Sequence, residues 1–502
     1  MKKNSFKFLL LIAFVSGLCV MGIEISASRL LAPYFGNSVL VWTNIIGIVM
    51  VALSCGYYFG GKLADKKPEL KIVLQLILIA GLIFLTVPWI VRPVSEWIIS
   101  FSNRSLFWII FLGSFFVTFI LFAFPLFLLG MVTPFVIKLS RASREKTGEI
   151  TGTVFAVSTL GSLLGTFLPS LILIPFWGTR FTISVFAACL VVLSFLGGVL
   201  RKEKTFFLVA LVLFSVSQVG DLPIKSTQNM IHEEESLYQY IQVLERQNNR
   251  YLATDNQIIH SVFYKNYPNH HYYIYHSALP FLLEQGKIKN VLILGLAGGT
   301  MVRQMKELWG ESVKIDAVDI DERMIELGKE YLNLKEDSVR IHHADARIFL
   351  KTTSQKYDLV VLDAFCDNMY VPWTLVTREF WGMVLSRLRP YGMVSMNMVS
   401  SSQEDLLMNG ILNTLASVFK RVSFMKISSL KGPGNYIILA SQSPISFLKA
   451  RQKNKIPQLE KIFDSFAFQN TSYDYRPQKI IFTDDYAPVE FLTELWYINY
   501  LK

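Results

Sequence analysis

The fold is decided by residues 291–347, which contain VLILGLAGGT (291–300), KIDAVDIDERMIELGKEYL (314–332) and VRIHHADAR (339–347). The four apolar residues Val291–Leu294 predict a buried strand. The glycines that follow them predict a turn that opens a helix, and they are Gly295, Gly298 and Gly299. Strands that alternate with helices in this way indicate a doubly wound parallel sheet, which is a Rossmann-like α/β fold.

Two acidic residues follow the next two predicted strands. Asp319 ends the second strand, twenty residues past the glycine turn, and Asp345 follows the third strand. Glycines let a backbone approach a nucleoside closely, and an acid after the second strand suits ribose hydroxyls. Asp345, with Ala346 beside it, is placed to contact an adenine edge. The turn and the two acids together predict a nucleoside site, and we expect an S-adenosyl compound rather than a dinucleotide.

Hydrophobic and charged residues are distributed unevenly along the chain. Of the 502 residues, 52% are hydrophobic, which is more than an ordinary soluble protein carries. Residues 1–224 hold 18 Lys and Arg against 8 Asp and Glu, so nearly all of the net charge of +11 lies there. These basic residues sit in short loops between apolar runs. That pattern indicates membrane orientation and argues against nucleic-acid binding.

The first part of the chain contains apolar runs of the length that crosses a bilayer, about 20 residues. We expect a polytopic membrane domain over 1–222 with about seven segments, at 6–24, 39–60, 71–91, 106–137, 153–175, 180–200 and 205–220. The basic loops place the N-terminus inside. If the short run 205–220 crossed, the remainder of the chain would lie outside. Because S-adenosyl donors are cytosolic, we expect an inner-membrane protein whose catalytic part is cytoplasmic.

Two ionisable residues stand at the end of the first predicted span. Glu24 and Arg29 lie in GIEISASRLLAPYFG, and ionisable residues at membrane depth are functional candidates. The alternative is a structural pair or anchors at a helix end. Further along, Gly161 and Gly165 have the small-xxx-small spacing that favours close helix packing.

The remainder of the chain divides into a small module and a larger domain. Residues 223–285 predict a linker and a β-rich module with a turn at Asn248-Asn249, and residues 286–502 predict the catalytic domain. We expect the strands of that domain at 291–295, 314–319, 338–342, 357–362 and 391–397, with a late hairpin around 421–441.

The fourth predicted strand ends in acid as well. YDLVVLD ends at Asp363, and Asp367 follows in AFCDN. Ligands of open α/β sheets bind beyond the carboxyl ends of the strands, so these acids lie on the same rim as the glycine turn. Two acids there can hold a cationic amine, and one can accept its proton before attack. The alternative is that Asp363 caps the next segment and Asp367 is a solvated turn residue.

Other polar residues are candidates for the same site. Tyr275 can line a substrate pocket or pack under the small module. The late TDDYAPVE, with Asp484, Asp485 and Glu490, can add negative charge or cap a helix start. The histidines lack metal-ligand spacing, so no metal site is expected.

With these residues in view, the soluble half resembles the spermidine synthase (aminopropyltransferase) family over roughly 233–445. The resemblance begins with SLYQYIQVLE, around Tyr238 and Gln239, and continues through LGLAGGT, VDID, ADARIF and LVVLDAFCD. ISASRLLAPYFGNSVLVW, LLGMVTPFVIKLS and TDDYAPVE are similar to bacterial members in which a multi-spanning segment precedes a spermidine synthase domain.

The resemblance implies roles for individual residues. It implies that Asp319 binds ribose hydroxyls, that Asp345 holds the adenine amine and that Asp363 acts on the attacking amine. Asp367, Tyr275 and Gln239 are the implied substrate-binding residues. It also implies decarboxylated S-adenosylmethionine as a co-substrate, with no tightly bound cofactor, and self-association as in many family members.

Three positions depart from the family pattern. The turn has Ala297 where the family has Asp, Tyr275-His276-Ser277 replaces Tyr-x-Glu, and Met396-Asn397-Met398 replaces Gln-x-Glu. Donor binding is therefore better preserved than amine binding.

Three readings stay open from the sequence. The first is aminopropyl transfer to an amine such as putrescine, with release of methylthioadenosine. The second is an S-adenosylmethionine-dependent methyltransferase, whose donor carboxylate would need a cationic partner such as Arg303. The third is a transporter or sensor with a non-catalytic nucleoside- or polyamine-binding domain. The small-molecule amine, the S-adenosyl donor and membrane lipid are the expected partners.

Overall fold

A computed structural model describes the chain in two compact units. It describes all residues except 1–2, 102–105, 142–146, 199–223, 226, 256–257, 266–272, 284–287, 366–370, 401, 403–404, 428–433, 446–450, 453, 456–459, 461–470, 478 and 501–502. The helical unit comprises Met1–Ser226 with Glu233–Tyr240, and the sheet unit comprises Thr227–His232 with Ile241–Lys502. Residues 205–220, predicted as a seventh apolar segment, lie outside the described residues.

The helical unit is built from long apolar helices. They are α1 (Lys3–Phe35), α2 (Val39–Lys66), α3 (Leu70–Ser100), α4 (Leu106–Thr118), α5 (Phe124–Arg141), α6 (Thr147–Leu168) and α7 (Ile174–Leu196). One π-helical turn, Phe119–Ala123, joins α4 to α5, and another, Pro169–Leu173, joins α6 to α7. Among the described residues, five continuous helical stretches are long and apolar enough to cross a membrane.

The helices run further than the apolar runs predicted. The first span was expected to end at residue 24, but α1 continues to Phe35, so Glu24 and Arg29 lie within the helix and not at its end. The expected segments 153–175 and 180–200 belong to one stretch, Thr147–Leu196, broken at Gly178, whose φ of 78° and ψ of 167° are not helical. Pro125 lies in the first turn of α5, and Trp108–Ser140 is one continuous helical stretch.

Small residues let α1 and α6 approach closely, as the spacing of Gly161 and Gly165 predicted. A side chain at Gly161 would meet the carbonyl oxygen of Phe14 at 2.0 Å, and one at Gly165 would meet that of Leu18 at 2.1 Å. Backbones at this separation leave room only for hydrogen, which is how helices pack without a hydrophobic driving force in lipid.

The helical unit also holds the short segment Glu233–Tyr240. The Arg29 guanidinium donates a hydrogen bond to the carbonyl oxygen of Leu237. The Glu235 carboxylate accepts from the Thr179 backbone N–H at 2.6 Å and from the Thr179 hydroxyl at 2.5 Å. An acid at this position satisfies an N–H left free by the break at Gly178 and interacts favourably with the helix dipole. Arg29 is therefore an anchor of this segment.

The sheet unit begins with a four-stranded sheet of order β1-β2-β3-β4. Its strands are β1 (Met230–Glu235), β2 (Tyr240–Arg246), β3 (Asn249–Thr254) and β4 (Ile258–Phe263). The β2–β3 turn is Gln247-Asn248, with φ of 51° and 63°, one residue earlier than predicted. Positive φ at both positions is the geometry of a tight two-residue hairpin.

The second sheet carries the predicted doubly wound arrangement. Its strands are β5 (Asn290–Leu294), β6 (Lys314–Asp319), β7 (Arg340–His343), β8 (Tyr357–Leu362), β9 (Leu388–Ser400), β10 (Arg421–Lys426), β11 (Gly434–Ser441) and β12 (Thr471–Tyr473). Their order is β12-β10-β11-β9-β8-β5-β6-β7. The pairs from β7 to β9 are parallel, and the predicted hairpin β10–β11 is antiparallel.

Helices cover both faces of this sheet. They are α8 (Tyr273–Leu283), α9 (Thr300–Trp309), α10 (Glu322–Tyr331), α11 (Ala346–Thr352), α12 (Arg378–Arg387), α13 (Leu406–Ala416) and α14 (Val489–Tyr500). Buried strand residues alternate between two apolar cores, with Val361 facing one and Leu362 the other. Because β5, β6, β7 and β8 are parallel, their carboxyl ends meet at one edge, where ligands bind in such sheets.

Candidate active site

The glycine turn after β5 has a backbone that only particular residues tolerate. Gly295 has a φ of +96°, and its N–H donates to the carbonyl oxygen of Val318 at 2.9 Å. A Cβ on Gly295 would lie 2.3 Å from the carbonyl oxygen of Asp363. Ala297 and Gly299 also have positive φ, of 47° and 79°. The turn therefore needs glycine at Gly295 both for its conformation and for the approach of the β8 end.

Gly298 allows a different close contact. Its N–H donates to the Ser261 hydroxyl at 2.9 Å. A Cβ there would come within 2.9 Å of the Ser261 and Leu332 side chains. Gly298 therefore joins the turn to β4, so that the small sheet supports the predicted nucleoside site from the side.

Asp319 organises the turn from within. Its Oδ2 accepts from the backbone N–H groups of Leu296 at 2.9 Å and Ala297 at 2.7 Å, and its Oδ1 accepts from that of Asp321 at 2.9 Å. Burial raises the pKa of the Asp319 carboxyl, and these hydrogen bonds oppose the rise. A carboxylate has about four lone-pair sites, so acceptor capacity remains beyond these three bonds. The sequence suggested only a ribose contact, and the structural role comes in addition to it.

Asp345 and Ala346 start the helix after β7. Asp345 is the N-cap of α11, and its Oδ1 accepts from the Ile348 N–H at 3.0 Å. Ala346 is the first residue of α11. This cap holds the loop that the sequence assigned to the adenine edge, next to Asp319, whose carbonyl oxygen accepts from Ala344 N–H at 3.0 Å.

The late acidic motif is divided between two places. Glu490 lies in the first turn of α14, at the helix start that the sequence predicted. The Asp484 carboxylate forms a bidentate pair with Arg347, at 2.9 and 2.7 Å, and accepts from the Thr377 hydroxyl at 2.7 Å. This pairing lowers the pKa of Asp484. Asp484 is therefore neither a helix cap nor a free charge for an amine. It ties the chain near its C-terminal helix to the loop that carries Asp345.

We expect Asp484→Ala to destabilise the sheet unit by about 1–2 kcal/mol, because it removes charge-assisted bonds and leaves Arg347 unpaired. The value is at the low end because Asp484 is 41% exposed. Since its folded pKa is lowered, this stability is present above pH 4 and lost as the pH falls. Thermal unfolding at pH 7 measures the effect. Asp485→Ala, which changes the exposed neighbour, is the matched control. Equal melting temperatures for the two variants would contradict a stabilising role of the Asp484–Arg347 pair.

Asp363 lies at the carboxyl end of β8, beside the turn. Its backbone N–H donates to the carbonyl oxygen of Leu294 at 2.9 Å. The Asn397 side chain donates to Asp363 Oδ1 at 2.9 Å. Burial raises the pKa of the Asp363 carboxyl to about 6, although the Asn397 hydrogen bond opposes the rise. A carboxylate with such a pKa is ionised at neutral pH and is a competent proton acceptor.

The three residues predicted to bind the amine lie in different parts of the chain. Asp367 lies outside the described residues. Tyr275 is half-buried on α8, where it packs against the apolar core, and burial raises the pKa of its phenol. Gln239 lies in the helical unit, just before β2, where its N–H donates to the Ser236 hydroxyl at 3.0 Å. What Tyr275 and Gln239 bind stays a prediction.

Two residues of the site were missed from the sequence. Asn397 contacts Asp363, and the Asn435 side chain donates to Asn397 Oδ1 at 3.0 Å. The available signal was a polar residue within the apolar strand MVSMNMV, read only as the loss of a family motif. Pairing of β9 with β11 brings the two amides together, and sequence distance concealed it.

Arg303 does not offer the cation that a methyl donor would need. Its guanidinium donates to the carbonyl oxygens of Val262 at 3.2 Å and Leu332 at 3.4 Å. It also stacks on the Phe263 ring, 4.8 Å from the centroid. The hypothesis that Arg303 binds a donor carboxylate is therefore wrong in this structure, since the side chain is committed to the small sheet.

Comparison with known proteins identifies the family. A family model described as the spermine/spermidine synthase domain matches residues 269–449. The polyamine aminopropyltransferase of Vibrio vulnificus is 30% identical over 280 residues, which cover 52% of this chain and 91% of that protein. Polyamine aminopropyltransferase 2 of Aquifex aeolicus is 23% identical over 474 residues, or 89% of this chain and 90% of that one. A probable spermidine synthase from Corynebacterium glutamicum superposes with a TM-score of 0.42 at 16% identity, covering 52% of this chain and 97% of that one. The chain belongs to the polyamine aminopropyltransferase (spermidine synthase) family, with a unit of long apolar helices preceding the α/β domain.

Proposed function

We propose that the protein transfers an aminopropyl group from decarboxylated S-adenosylmethionine to an alkylamine such as putrescine, and releases methylthioadenosine. The observation that carries the proposal is the position of Asp363. The Asp363 carboxyl has a pKa of about 6. The backbone carbonyl oxygen of the same residue lies where a Gly295 side chain would otherwise be, so Asp363 adjoins the glycine turn. The proton acceptor and the donor-binding turn are thus held together by the sheet.

The reaction is an in-line displacement at carbon. The donor's nucleoside lies against the turn of Gly295, Gly298 and Gly299, with Asp319 at the ribose and Asp345, next to Ala346, at the adenine. An alkylammonium ion has a pKa near 10, so it arrives protonated. The Asp363 carboxylate takes one proton, and the amine nitrogen then attacks the carbon bonded to the sulfonium. The new C–N bond forms as the C–S bond breaks, and the sulfur keeps the electron pair.

The contacts of the Arg303 side chain favour aminopropyl transfer over methyl transfer. S-adenosylmethionine carries a carboxylate that would require a cationic or amide partner, whereas the decarboxylated donor carries none. Arg303 is bonded to backbone carbonyls and stacked on an aromatic ring. A buried carboxylate that lacks a partner is strongly disfavoured, so the site discriminates against the methyl donor.

The amine is held on the Asp363 side of the site. We assign amine contacts to Asp367 and Tyr275, as the family resemblance implies. The carboxylate of Asp367 would hold a cationic nitrogen, and the Tyr275 ring would line the alkyl chain.

We expect the full-length protein in detergent to bind methylthioadenosine and decarboxylated S-adenosylmethionine at least tenfold more tightly than S-adenosylmethionine, because Arg303, the cation that the sequence offered for the extra carboxylate, is bonded to backbone carbonyls. Parallel calorimetric titrations measure the three affinities. Transfer is then assayed with putrescine by the appearance of methylthioadenosine. Tighter binding of S-adenosylmethionine would replace the proposal with methyl transfer, and binding of none of the three would favour a non-enzymatic role.

We further propose that the helical unit lies in the cell membrane with the sheet unit on the cytoplasmic side. Five apolar helical stretches support the membrane location. The donor is made in the cytosol, so we place the sheet unit on that side. A fluorescent reporter fused after Lys502 should fold and emit, and an active periplasmic phosphatase fusion at the same place would contradict the orientation.

A further inference from the structure

A line of three hydrogen-bonded side chains crosses the sheet behind the proton acceptor. Asn397 Nδ2 donates to Asp363 Oδ1 at 2.9 Å, and Asn435 Nδ2 donates to Asn397 Oδ1 at 3.0 Å. The residues belong to the neighbouring strands β8, β9 and β11, since Asp363 directly follows Leu362. These side-chain contacts come in addition to the pairing of β8 with β9 and of β9 with β11.

Strand register puts all three side chains on the same face. Leu362 pairs with Met396 and Asn397 pairs with Ile437, so Asp363, Asn397 and Asn435 alternate with residues of the opposite core. Asn397 is only 2% exposed. A buried amide is costly unless it is bonded, and here both its donor and its acceptor ends have partners.

The contacts at its two ends specify the orientation of the Asn397 amide. With its nitrogen toward Asp363, both contacts pair a donor with an acceptor. A flipped amide would place Oδ1 against the carboxylate oxygen and Nδ2 against the Asn435 NH₂ group, and both contacts would be repulsive. The carboxylate of Asp363, which can only accept, therefore selects the orientation in which Asn397 donates to it, and Asn435 satisfies the Oδ1 of Asn397 in that orientation.

Few other titratable groups act on Asp363 from the elements that pack on this face. In the described part of the chain, α8 contributes Tyr275 and His276. Burial lowers the pKa of His276 to about 3 and raises that of Tyr275, so both stay neutral near neutral pH. Asp319 ends β6, which is two strands away, about 10 Å. Between pH 5 and 9 the ionisation of Asp363 is thus governed by its burial and by Asn397.

We propose that Asn397 is a positioning residue for Asp363, and that Asn435 supports it in the donating orientation. The Asn397 N–H binds Oδ1, fixes the plane of the carboxylate and leaves Oδ2 to take the proton of the amine. This inference rests on the proposed function, since it gives Asp363 the role of proton acceptor. Asn397 acts through Asp363 and does not touch the substrate.

Two near-isosteric substitutions separate positioning from packing. Asn397→Leu removes the donor and keeps the volume, so burial of the carboxylate is no longer opposed. Asn397→Asp adds a second carboxylate, and two adjacent like charges raise the pKa further. Asn435→Ala leaves Asn397 in place but removes the partner of its Oδ1. Ser395→Ala is the matched control: Ser395 is buried on the same face two residues before Asn397, but it bonds His276 Nδ1 at 2.8 Å and not Asp363.

The test is the pH dependence of kcat/KM for putrescine at saturating decarboxylated S-adenosylmethionine, measured on the full chain. In the native protein we expect the acidic limb near pH 6. In Asn397→Leu it should move up by about one unit, with a loss of roughly fivefold at pH 6 and almost none at pH 8. Asn397→Asp should move the acidic limb further up. Asn435→Ala should move it up by less than Asn397→Leu does, and Ser395→Ala should leave it unchanged. The proposal is overturned if the acidic limb of the pH profile does not move in Asn397→Leu, or if it moves equally in Ser395→Ala.

A second measurement keeps this inference distinct from the proposed function. The carboxyl band of Asp363 can be titrated by infrared difference spectroscopy, with Asp363→Asn to assign it, and needs no turnover. Lack of transfer by the native protein would refute the proposed function alone. A band that titrates identically in the native protein, Asn397→Leu and Asn435→Ala would refute the role of Asn397. Binding of methylthioadenosine confirms that each variant is folded. If Asn397→Leu does not fold, Asn435→Ala takes its place in the test, since Asn435 is only half-buried.

Discussion

Replacement of Asp363 by Asn should reduce kcat by about 10²–10⁴-fold, the usual contribution of a positioned proton acceptor. Binding of methylthioadenosine should change by less than about threefold, because the donor contacts that we propose lie on the glycine turn and on Asp319 and Asp345. An amide has the shape of the carboxylate but accepts no proton at neutral pH. Turnover with putrescine and calorimetry with methylthioadenosine measure the two effects.

The matched control for this variant lies at the other end of the same strand. Asp358→Asn also removes one negative charge from β8, where the carboxylate accepts from Lys289 N–H at 3.0 Å and Asn290 N–H at 2.9 Å. It should leave kcat within about threefold of the native value, since those contacts lie away from the carboxyl edge. If Asp363→Asn retained native turnover, Asp363 would have no part in the mechanism.

Asp363→Asn should also make the fold more stable at high pH. Asp363 has a pKa of about 6 in the folded protein, above the value near 3.9 in an unfolded chain. Its contribution to stability is therefore full below pH 4 and is lost as the pH rises through 6. The difference corresponds to at most about 3 kcal/mol. Asp363→Asn should thus melt higher than the native protein at pH 8 but not at pH 4, and equal shifts at both would contradict the raised pKa.

The second large effect is expected from Gly295→Ala, which should weaken methylthioadenosine binding at least 100-fold. A φ of +96° costs an alanine about 1–2 kcal/mol or more. Its Cβ would also lie 2.3 Å from the Asp363 carbonyl oxygen, so the turn and the end of β8 must separate. Donor contacts and the position of the proton acceptor are then lost together.

Gly382→Ala is the matched control for that experiment. Gly382 lies in α12 with nothing within 4 Å of the Cβ position, so alanine there should be neutral or stabilise by about 0.5–1 kcal/mol. Calorimetry with methylthioadenosine on both variants, alongside thermal unfolding, separates loss of the site from loss of the fold. Donor binding by Gly295→Ala at native affinity would show that the turn does not form the donor site.

The sequence predicted those features that depend on neighbours in the chain. The strands of the parallel sheet were placed within a few residues, because apolar runs and glycine turns are local signals. Gly295, Asp319, Asp345 and Asp363 were assigned to one edge, since the carboxyl ends of parallel strands meet there. Asp367 and the segment 205–220 lie outside the described residues, so their roles stay predictions.

Helix lengths and helix breaks were predicted less well. The apolar pattern alone ended the first span at residue 24, whereas α1 continues to Phe35, with Arg29 bonded to Leu237. Polar residues within a long helix look like its end until their partners are known. Gly178 breaks a helical stretch whose new N-terminus is satisfied by Glu235, 56 residues further along the chain.

By itself, then, the sequence determined the fold class, the positions of the strands along the chain and the edge at which the acids gather, because hydrophobic periodicity and turn chemistry act over a few residues. Only the tertiary structure decided which side chains act on those acids. Asn397 stands 34 residues from Asp363, and Asp484 stands 137 residues from Arg347. A hydrogen bond depends on atoms within about 3 Å, and strand pairing sets that distance in ways that spacing along the chain does not record.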